Sequence, residues 1–403
     1  MKKPNFQFWN LWSTYALTYF GKVNLGIVIP VLMMSYTELN MYDMGIVSMG
    51  FMGAYAIGQF LHGQISERFN PYIYIAVGLT LSGIANGLMG FTAGFFIALT
   101  VLETFDGFVQ AMGWSSVVRA NAYIHETDDL KKREIASTLM GISYQFGTAI
   151  TVVISAFAVT WWGWQYGFWV ASIILILRGV LLYLTRSKRK FETKKRIRKQ
   201  VEKTVLSFPI VFSGIGLLLL NIVRYGVLTW IPLYYVIAAN YDLGGGINLL
   251  KVVVVPLGGI IGTLLYIAFP WKKDYTSIAF LSLMGVTWFL FPYADEVMKT
   301  VLLFVSSLFL YGPHVFLVST IPSRFTKEHV VASATGFIDG MGYVGTVAIG
   351  LLIPYLVLDT VGGWSNVFLF WTVISFAAAG IVAATYYGHF RDTYYNNKKA
   401  VKK

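Results

Sequence analysis

The stretch KVNLGIVIP, Lys22–Pro30, lies inside an apolar run that extends from about Phe8 to Met34. A related stretch, RYGVLTWIP, occupies Arg224–Pro232 in the second half of the chain. In both, a basic residue is followed by Ile seven positions later and by Pro eight positions later. Because a basic side chain at the centre of a bilayer costs about 2.5–3.5 kcal/mol or more, its presence at two matching places predicts a use for both. We expect two related halves, each of which brings one cation to a shared cavity that binds an anion.

The composition is that of a membrane protein. Of the 403 residues, 56% are hydrophobic and 12% are charged, whereas soluble domains carry about 25% charged residues. A single span needs about 20 mostly apolar residues. Twelve such segments are recognisable, centred near residues 22, 55, 83, 110, 147, 174, 223, 258, 284, 310, 344 and 376. The chain has no cysteine, which excludes disulfides, thiol catalysis and cysteine-ligated metals.

The formal net charge of +12 reflects topology rather than a nucleic-acid partner. If the N-terminus is cytoplasmic, 25 of the 31 Lys and Arg residues fall on cytoplasmic segments. This positive-inside bias predicts a multi-pass protein of the plasma membrane (the inner membrane of a Gram-negative cell) with both termini in the cytoplasm. The lipid bilayer, including its anionic lipids, is the expected macromolecular partner, and no nucleic acid is expected.

A basic segment, Arg186–Lys203, separates the twelve predicted spans into two sets of six. We predict an N-terminal six-helix bundle in residues 1–185, a basic cytoplasmic linker in 186–207, a C-terminal six-helix bundle in 208–388 and a cytoplasmic tail in 389–403. The predicted fold is all-α, with two pseudo-symmetric bundles of the major facilitator type. In that type of fold the substrate site lies near the middle of the membrane, between the halves.

Polar residues recur at helical spacing in predicted spans 1 and 11. In span 1, Tyr15, Tyr19 and Lys22 lie at i, i+4 and i+7 and therefore share one face of a helix. In span 11, Asp339 and Tyr343 lie at i and i+4. These faces are expected to line the central cavity.

Span 4 carries two acidic residues within an apolar segment. Glu103, Asp106, Gln110 and Trp114 lie at i, i+3, i+7 and i+11, which predicts a single polar stripe along one helix. Acidic side chains within a membrane are costly and require a reason. One interpretation is that they balance basic residues within the spans as buried ion pairs. The other is that they carry protons or contact hydroxyl or amino groups of a substrate.

A tight turn is predicted between spans 2 and 3, at GQISERFNPY, Gly63–Tyr72. Its charged residues, Glu67 and Arg68, are placed to pair with charges at neighbouring helix ends. We interpret them as a gating and structural device rather than as part of a substrate site.

Several stretches resemble the organophosphate:inorganic phosphate antiporters, the family of the bacterial glycerol-3-phosphate and hexose-phosphate transporters. The resemblance extends over most of the chain and is most specific in spans 4 and 7. The matching stretches are Tyr15–Val31, Tyr55–Pro71, Gln110–Trp114, Arg224–Tyr234, Tyr311–Pro313 and Ala334–Gly345.

The resemblance implies that Lys22 and Arg224 bind the phosphate group from opposite halves, since the family carries cations at these positions in spans 1 and 7. It also implies an aromatic cavity around them, and Asp339 and Tyr144 are included among the expected binding residues. Tyr144 stands where the glycerol-3-phosphate transporters have His. The aromatic cavity positions are Tyr15, Tyr19, Tyr55, Trp114, Tyr311 and Tyr343.

The predicted function is an alternating-access transporter of a small organic anion, most simply a phosphate ester exchanged for inorganic phosphate. One alternative is proton-coupled symport of an organic carboxylate or sulfonate, since membrane acids commonly relay protons. A third is a membrane sensor that binds its ligand without transporting it. No cofactor and no metal site are predicted, an enzymatic activity is not expected, and the protein is expected to be a monomer.

Overall fold

The computed structural model describes residues 6–92, 94–126, 128, 130–187, 206–238, 247–269, 272–323 and 331–401. Within these ranges the regular structure is entirely helical, and twelve helical segments are long and apolar enough to cross a membrane. Each predicted centre falls inside one of them, so the all-α fold with twelve spans is confirmed. The spans, numbered in chain order, are Phe6–Ser35, Met41–Arg68, Pro71–Thr92, Phe96–Ile124, Ile135–Trp162, Trp164–Thr185, Ile210–Ile237, Asn248–Ala268, Lys273–Tyr293, Glu296–Thr320, Val331–Leu358 and Trp364–Ala384.

Two spans that matter for the site are interrupted. Span 1 consists of the helices Phe6–Thr18 and Phe20–Ser35, with Tyr19 at the joint between them. Span 4 consists of Phe96–Gln110 and Trp114–Ile124. The remaining helices have the bounds Met41–Ile65 with a 3₁₀ turn at Ser66–Arg68, Pro71–Thr92, Leu130–Trp162, Trp164–Thr185, Phe208–Ala238, Ile247–Leu250, Lys251–Val253 (3₁₀), Val254–Ala268, Lys273–Leu290, Phe291–Tyr293 (3₁₀), Glu296–Val315, Phe316–Thr320 (π), Ile321–Ser323, Val331–Leu358 and Trp364–Val401.

The two sets of six spans pack in the same pattern. In the N-terminal set, span 3 packs against span 6, span 2 against span 4, and span 1 against span 5. The C-terminal set repeats this as 9 against 12, 8 against 10, and 7 against 11. Helices in a membrane associate by close packing rather than by hydrophobic exclusion, and glycine allows their backbones to approach. Gly107 packs against the backbone of Phe51, and Gly262 packs against that of Leu308. The pseudo-symmetry predicted from the two basic motifs is therefore present in the packing.

The halves meet at both ends of the molecule. At the predicted outer end, Gly45 of span 2 lies against the carbonyl of Gly350 in span 11. At the predicted cytoplasmic end, Gly63 lies against Gly336, and Ser319 Oγ donates a hydrogen bond of 3.1 Å to the carbonyl of Ser137. The middle of the molecule is thus closed from both sides.

Most of the predicted linker, residues 188–205, lies outside the described residues. The last helix, Trp364–Val401, continues through much of the segment predicted as a tail. The domain boundaries therefore remain predictions.

Candidate anion-binding site

Lys22 lies in the middle of span 1 with only 7% of its surface exposed. Its ammonium nitrogen donates a hydrogen bond of 2.6 Å to Tyr55 Oη in span 2. The same nitrogen lies 3.9 Å from the centroid of the Tyr55 ring and 5.4 Å from that of Tyr19. Aromatic faces attract cations, so the tyrosines hold the ammonium at this depth while two of its three N–H donors stay available.

Arg224 of span 7 approaches from the other half and is 3% exposed. Its Nη2 donates a hydrogen bond of 2.9 Å to Tyr19 Oη. Its guanidinium carbon lies 4.6 Å from the ring centroid of Tyr225 and 5.0 Å from that of Tyr144. Lys22 and Arg224 therefore converge on one residue, Tyr19, which lies at the joint between the two helices of span 1.

The other aromatic residues predicted for the cavity surround these two cations. The rings of Tyr15 and Trp114 lie 4.5 Å apart, those of Tyr55 and Tyr343 4.0 Å apart, and Tyr311 packs against Tyr144 at 5.9 Å. A small cavity lies among them, and we call it the clamp cavity. Its lining consists of Tyr15, Tyr19, Trp114, Tyr144, Arg224, His314, Val318, Asp339 and Tyr343.

Three buried side-chain nitrogens at the clamp cavity have no hydrogen-bond partner in the described part of the chain. They are Arg224 Nε, Trp114 Nε1 and His314 Nε2. Buried polar groups are nearly always paired, and unpaired ones call for an explanation. Arg and Trp nitrogens can only donate, so the cavity presents donors for a ligand that accepts hydrogen bonds, such as an oxyanion.

Asp339 lines the same cavity and is 5% exposed. It lies within electrostatic range of Lys22 and Arg224, yet it forms no ion pair within 4.0 Å with any residue that the structure describes. Asp339 is thus a carboxylate within electrostatic range of both cations. The ten residues expected to bind the anion are brought together at one place.

Glu103, Asp106 and Gln110 share the buried face of one helix of span 4, as their spacing predicts, but the stripe does not continue to Trp114. The helix ends at Gln110, so Trp114 belongs to a second helix that points its ring into the clamp cavity. Asp106 accepts hydrogen bonds from Asn86 (2.8 Å) and Gln110 (3.1 Å), which places it in a network inside the N-terminal bundle. Glu103 lies elsewhere, at a second cavity.

The interpretation that these acids balance Lys22 or Arg178 stays a prediction, since Asp106 lies within electrostatic range of Lys22. Neither Glu103 nor Asp106 lies within ion-pair distance of a described basic residue. Arg178 of span 6 instead donates to Asn10 and Thr14 of span 1, with its Nη2 2.6 Å from Thr14 Oγ1.

Glu67 connects the two halves at the predicted cytoplasmic end. Its Oε2 lies 3.4 Å from Arg119 Nε in span 4, and its Oε1 accepts a hydrogen bond of 3.2 Å from the backbone N–H of Ala332 at the start of span 11. A carboxylate is favourable at a helix N-terminus because free N–H groups and the helix dipole attract negative charge. Arg68, by contrast, is exposed and makes no ion pair with another described residue.

We expect Glu67→Ala to open the predicted cytoplasmic end. The variant removes the contact with span 11 and leaves Arg119 without its carboxylate, and a change of about 1.4 kcal/mol in the closing equilibrium shifts the population about tenfold. The chain has no native cysteine, so labelling of a single cysteine introduced at Val318 reports access from the side of the chain termini. Labelling should accelerate about tenfold, whereas Arg68→Ala should leave it unchanged. Equal rates in both variants would remove Glu67 from the gate.

Two residues of the site were not assigned from the sequence. His314 is joined to Tyr144 of the other half by a 2.8 Å hydrogen bond between its Nδ1 and Tyr144 Oη. Tyr225 bonds through its hydroxyl to that of Tyr343. A lone histidine beside a proline is usually structural, but its spacing of three residues from Tyr311 places both on one helical face, and that spacing was the available signal.

Comparisons with known proteins agree with this architecture. The family model described as Major Facilitator Superfamily matches residues 11–350. The membrane sensor protein UhpC of Escherichia coli (strain K12) is 26% identical, over 91% of this chain and 88% of the relative. The glucose-6-phosphate exchanger SLC37A2 of Mus musculus is 26% identical, over 83% of this chain and 76% of the relative. The resemblance to organophosphate:phosphate antiporters is thereby confirmed.

A solved structure shares the fold over nearly the full length. The crystal structure of FucP, a Major Facilitator Superfamily transporter in the outward conformation, matches with a TM-score of 0.69 and 13% identity, over 94% of this chain and 98% of that chain. The family and its structural neighbours are membrane transporters rather than enzymes. Because the family model covers most of the sequence and the fold agrees along it, this multi-pass membrane protein belongs to the Major Facilitator Superfamily.

Proposed function

We propose that this protein is an alternating-access transporter that exchanges a phosphate ester for inorganic phosphate. The observation that carries the proposal is the convergence of Lys22 and Arg224, one from each half, on Tyr19 inside a closed cavity. The similarity to a glucose-6-phosphate exchanger supports the same substrate class.

The chemistry of the clamp cavity suits a phosphoryl group. Arg224 offers its planar guanidinium, which forms paired hydrogen bonds to two oxygens of an anion, and Lys22 offers a compact charge. Trp114 Nε1 adds an unpaired donor. Because the cavity is closed to water, each of these contacts is stronger than it would be at the surface.

The two cations explain why the carrier would exchange anions rather than return empty. Closing the halves brings two cations together in a medium of low dielectric, and an anion between them removes that repulsion. Asp339 offsets part of the repulsion when the site is empty, so the incoming anion competes with this carboxylate for the cations. We infer that the occupied carrier crosses between its outward and inward states faster than the empty one.

The moving parts are the two bundles, residues 1–185 and 208–388. They rock about the clamp cavity, with 186–207 as a cytoplasmic linker and 389–403 as a cytoplasmic tail. We propose a monomer in the plasma membrane (the inner membrane in a Gram-negative cell) with both termini in the cytoplasm.

Counterflow in proteoliposomes tests this function. Vesicles loaded with phosphate should accumulate labelled phosphate and phosphate esters, and vesicles loaded with sulfate or gluconate should not, because only a matching anion returns the carrier. Uptake should persist with a protonophore present. Uptake that needs a proton gradient and ignores internal phosphate would replace exchange by proton symport.

A second candidate is a membrane sensor, favoured by the similarity to a sensor protein over 91% of this chain. A sensor would bind phosphate esters at the clamp cavity without measurable flux. Calorimetric binding combined with the same counterflow assay separates the two. Binding with a flux equal to that of protein-free vesicles assigns the sensor role.

A further inference from the structure

A second small cavity adjoins the clamp cavity on the side of the predicted outer end. We call it the outer cavity. Span 1 contributes Lys22, span 2 Ser48, span 4 Glu103 and span 7 Thr229. The rest of its lining is largely apolar and consists of Val23, Leu25, Gly26, Phe51, Met52, Tyr225 and Leu228.

Glu103 is the unexplained group in this cavity. Its side chain is buried, at 2% exposure, and it has neither a hydrogen bond nor an ion pair with any residue in the described ranges. Ser48 Oγ, on the facing span 2, is buried and has no hydrogen-bond partner there either. Asp106, by comparison, accepts hydrogen bonds from two amides, and Asp339 has two cations within electrostatic range.

The charges around Glu103 do not compensate it. Asp106 lies on its own helix and acts as a like charge. Spans 2 and 7 present only Ser48, Thr229 and Tyr225 as polar groups. Lys22 lines the other side of the cavity, but its ammonium is directed to Tyr55. A buried acidic side chain is either neutralised by a proton or matched by a group of opposite charge, and Glu103 lines a cavity at which a ligand could supply that group.

Lys22 and Tyr225 connect the outer cavity to the clamp cavity. Lys22 lines the outer cavity, and its nitrogen lies 5.8 Å from the ring centroid of Tyr15 and 5.7 Å from that of Tyr343, two rings that line the clamp cavity. Tyr225 lines the outer cavity and bonds to Tyr343. A ligand whose phosphate lies in the clamp therefore has only these side chains between it and Glu103.

We propose that the outer cavity binds an ammonium group of the substrate, with Glu103 as its counter-ion. This inference rests on the proposed function and names its substrate class, an amine-bearing phosphate monoester. Glu103 accepts the ammonium, Ser48 and Thr229 supply oxygens for its remaining protons, and the apolar wall of Phe51, Met52 and Leu228 packs on the methylene groups between the two charged ends. A hydroxyl would leave the buried carboxylate without an opposite charge, and for this reason the amine is favoured.

The test compares two esters of nearly equal size, 2-aminoethyl phosphate and 2-hydroxyethyl phosphate, as competitors of labelled phosphate uptake. The wild-type protein should bind the amine at least tenfold more tightly. Glu103→Gln, which keeps the shape and removes the charge, should bring the ratio of the two inhibition constants to about one, and Glu103→Asp should restore part of it. Ser48→Ala is a second, milder variant, in which the ratio of the two inhibition constants should fall by less than in Glu103→Gln.

The proposed ammonium subsite at Glu103 would be overturned if the wild-type ratio of the two inhibition constants is near one, or if Glu103→Gln does not change this ratio. A pH dependence that Glu103→Gln abolishes equally for both esters would assign Glu103 to a proton instead and would also overturn it. The ratio is measured in parallel by calorimetry on the purified protein. If exchange is absent but calorimetry shows the preference for the amine, the exchange proposal fails and the subsite stands.

Discussion

Arg224→Ala is expected to abolish transport while the protein still folds. From span 7, the guanidinium of Arg224 supplies a positive charge and several N–H donors in one plane to the clamp cavity. Lys22 alone does not replace them. Removing one partner of a buried, hydrogen-bonded charge pair costs about 2–5 kcal/mol, so we expect the affinity for phosphate to fall by a factor of about 30 to 4,000. The variant also leaves Asp339 beside a single cation.

The measurement is phosphate counterflow together with calorimetric binding of phosphate. Arg224→Lys separates charge from geometry, because a lysine keeps the charge but loses the fork, and it should retain weak binding. Arg186→Ala, at a half-buried arginine stacked on Tyr183 at the end of span 6, is the matched control and should transport normally. Normal exchange by Arg224→Ala in a folded protein would contradict the clamp.

Gly45→Ala is expected to stop the transport cycle without removing binding. A Cβ at Gly45 would overlap the carbonyl of Gly350 in span 11, and this contact forms only when the predicted outer end is closed. Overpacking of this kind costs about 1–3 kcal/mol, which would shift the population of the open state by a factor of about 5 to 150. The carrier should accumulate open at that end.

Gly53→Ala is a matched control on the same helix and the same interface. A Cβ there meets only Val347 Cγ2 at 3.8 Å, an ordinary contact. The reporter is a single cysteine at Val23, a residue of the outer cavity, labelled from the side opposite to the chain termini. Labelling should accelerate in Gly45→Ala and not in Gly53→Ala. Equal labelling in the two variants would show that this contact does not close the outer end.

Much of the site was predictable because the sequence shows charged residues within apolar membrane segments, where burying a charge costs free energy. Lys22 and Arg224 are charges inside apolar segments, and such charges are retained only where they are used. The tyrosines at helical spacing from Lys22 follow from the period of the helix. The resemblance to organophosphate antiporters then assigned Tyr144 and Tyr311 to the same cavity.

The spacing of Glu103 and Asp106 along the helix did not predict which neighbouring groups each residue would contact. Their offset of three residues places both on one face of an ideal helix, yet they serve different surroundings because they lie at different depths and face different neighbouring helices. Asp106 meets the amide of Asn86 from span 3, whereas Glu103 meets a cavity that spans 1, 2 and 7 close. No single-helix pattern contains that information.

From the sequence alone came the twelve spans, the two related halves and the two cations, since hydropathy, charge bias and helical period are local properties of a chain in a bilayer. Only the tertiary structure decided that the cations meet at Tyr19, that glycine contacts close both ends, and that Glu103 has no partner among the described residues. Those features depend on which helix faces which, and in a membrane that is decided by close packing between helices rather than by the composition of any one of them.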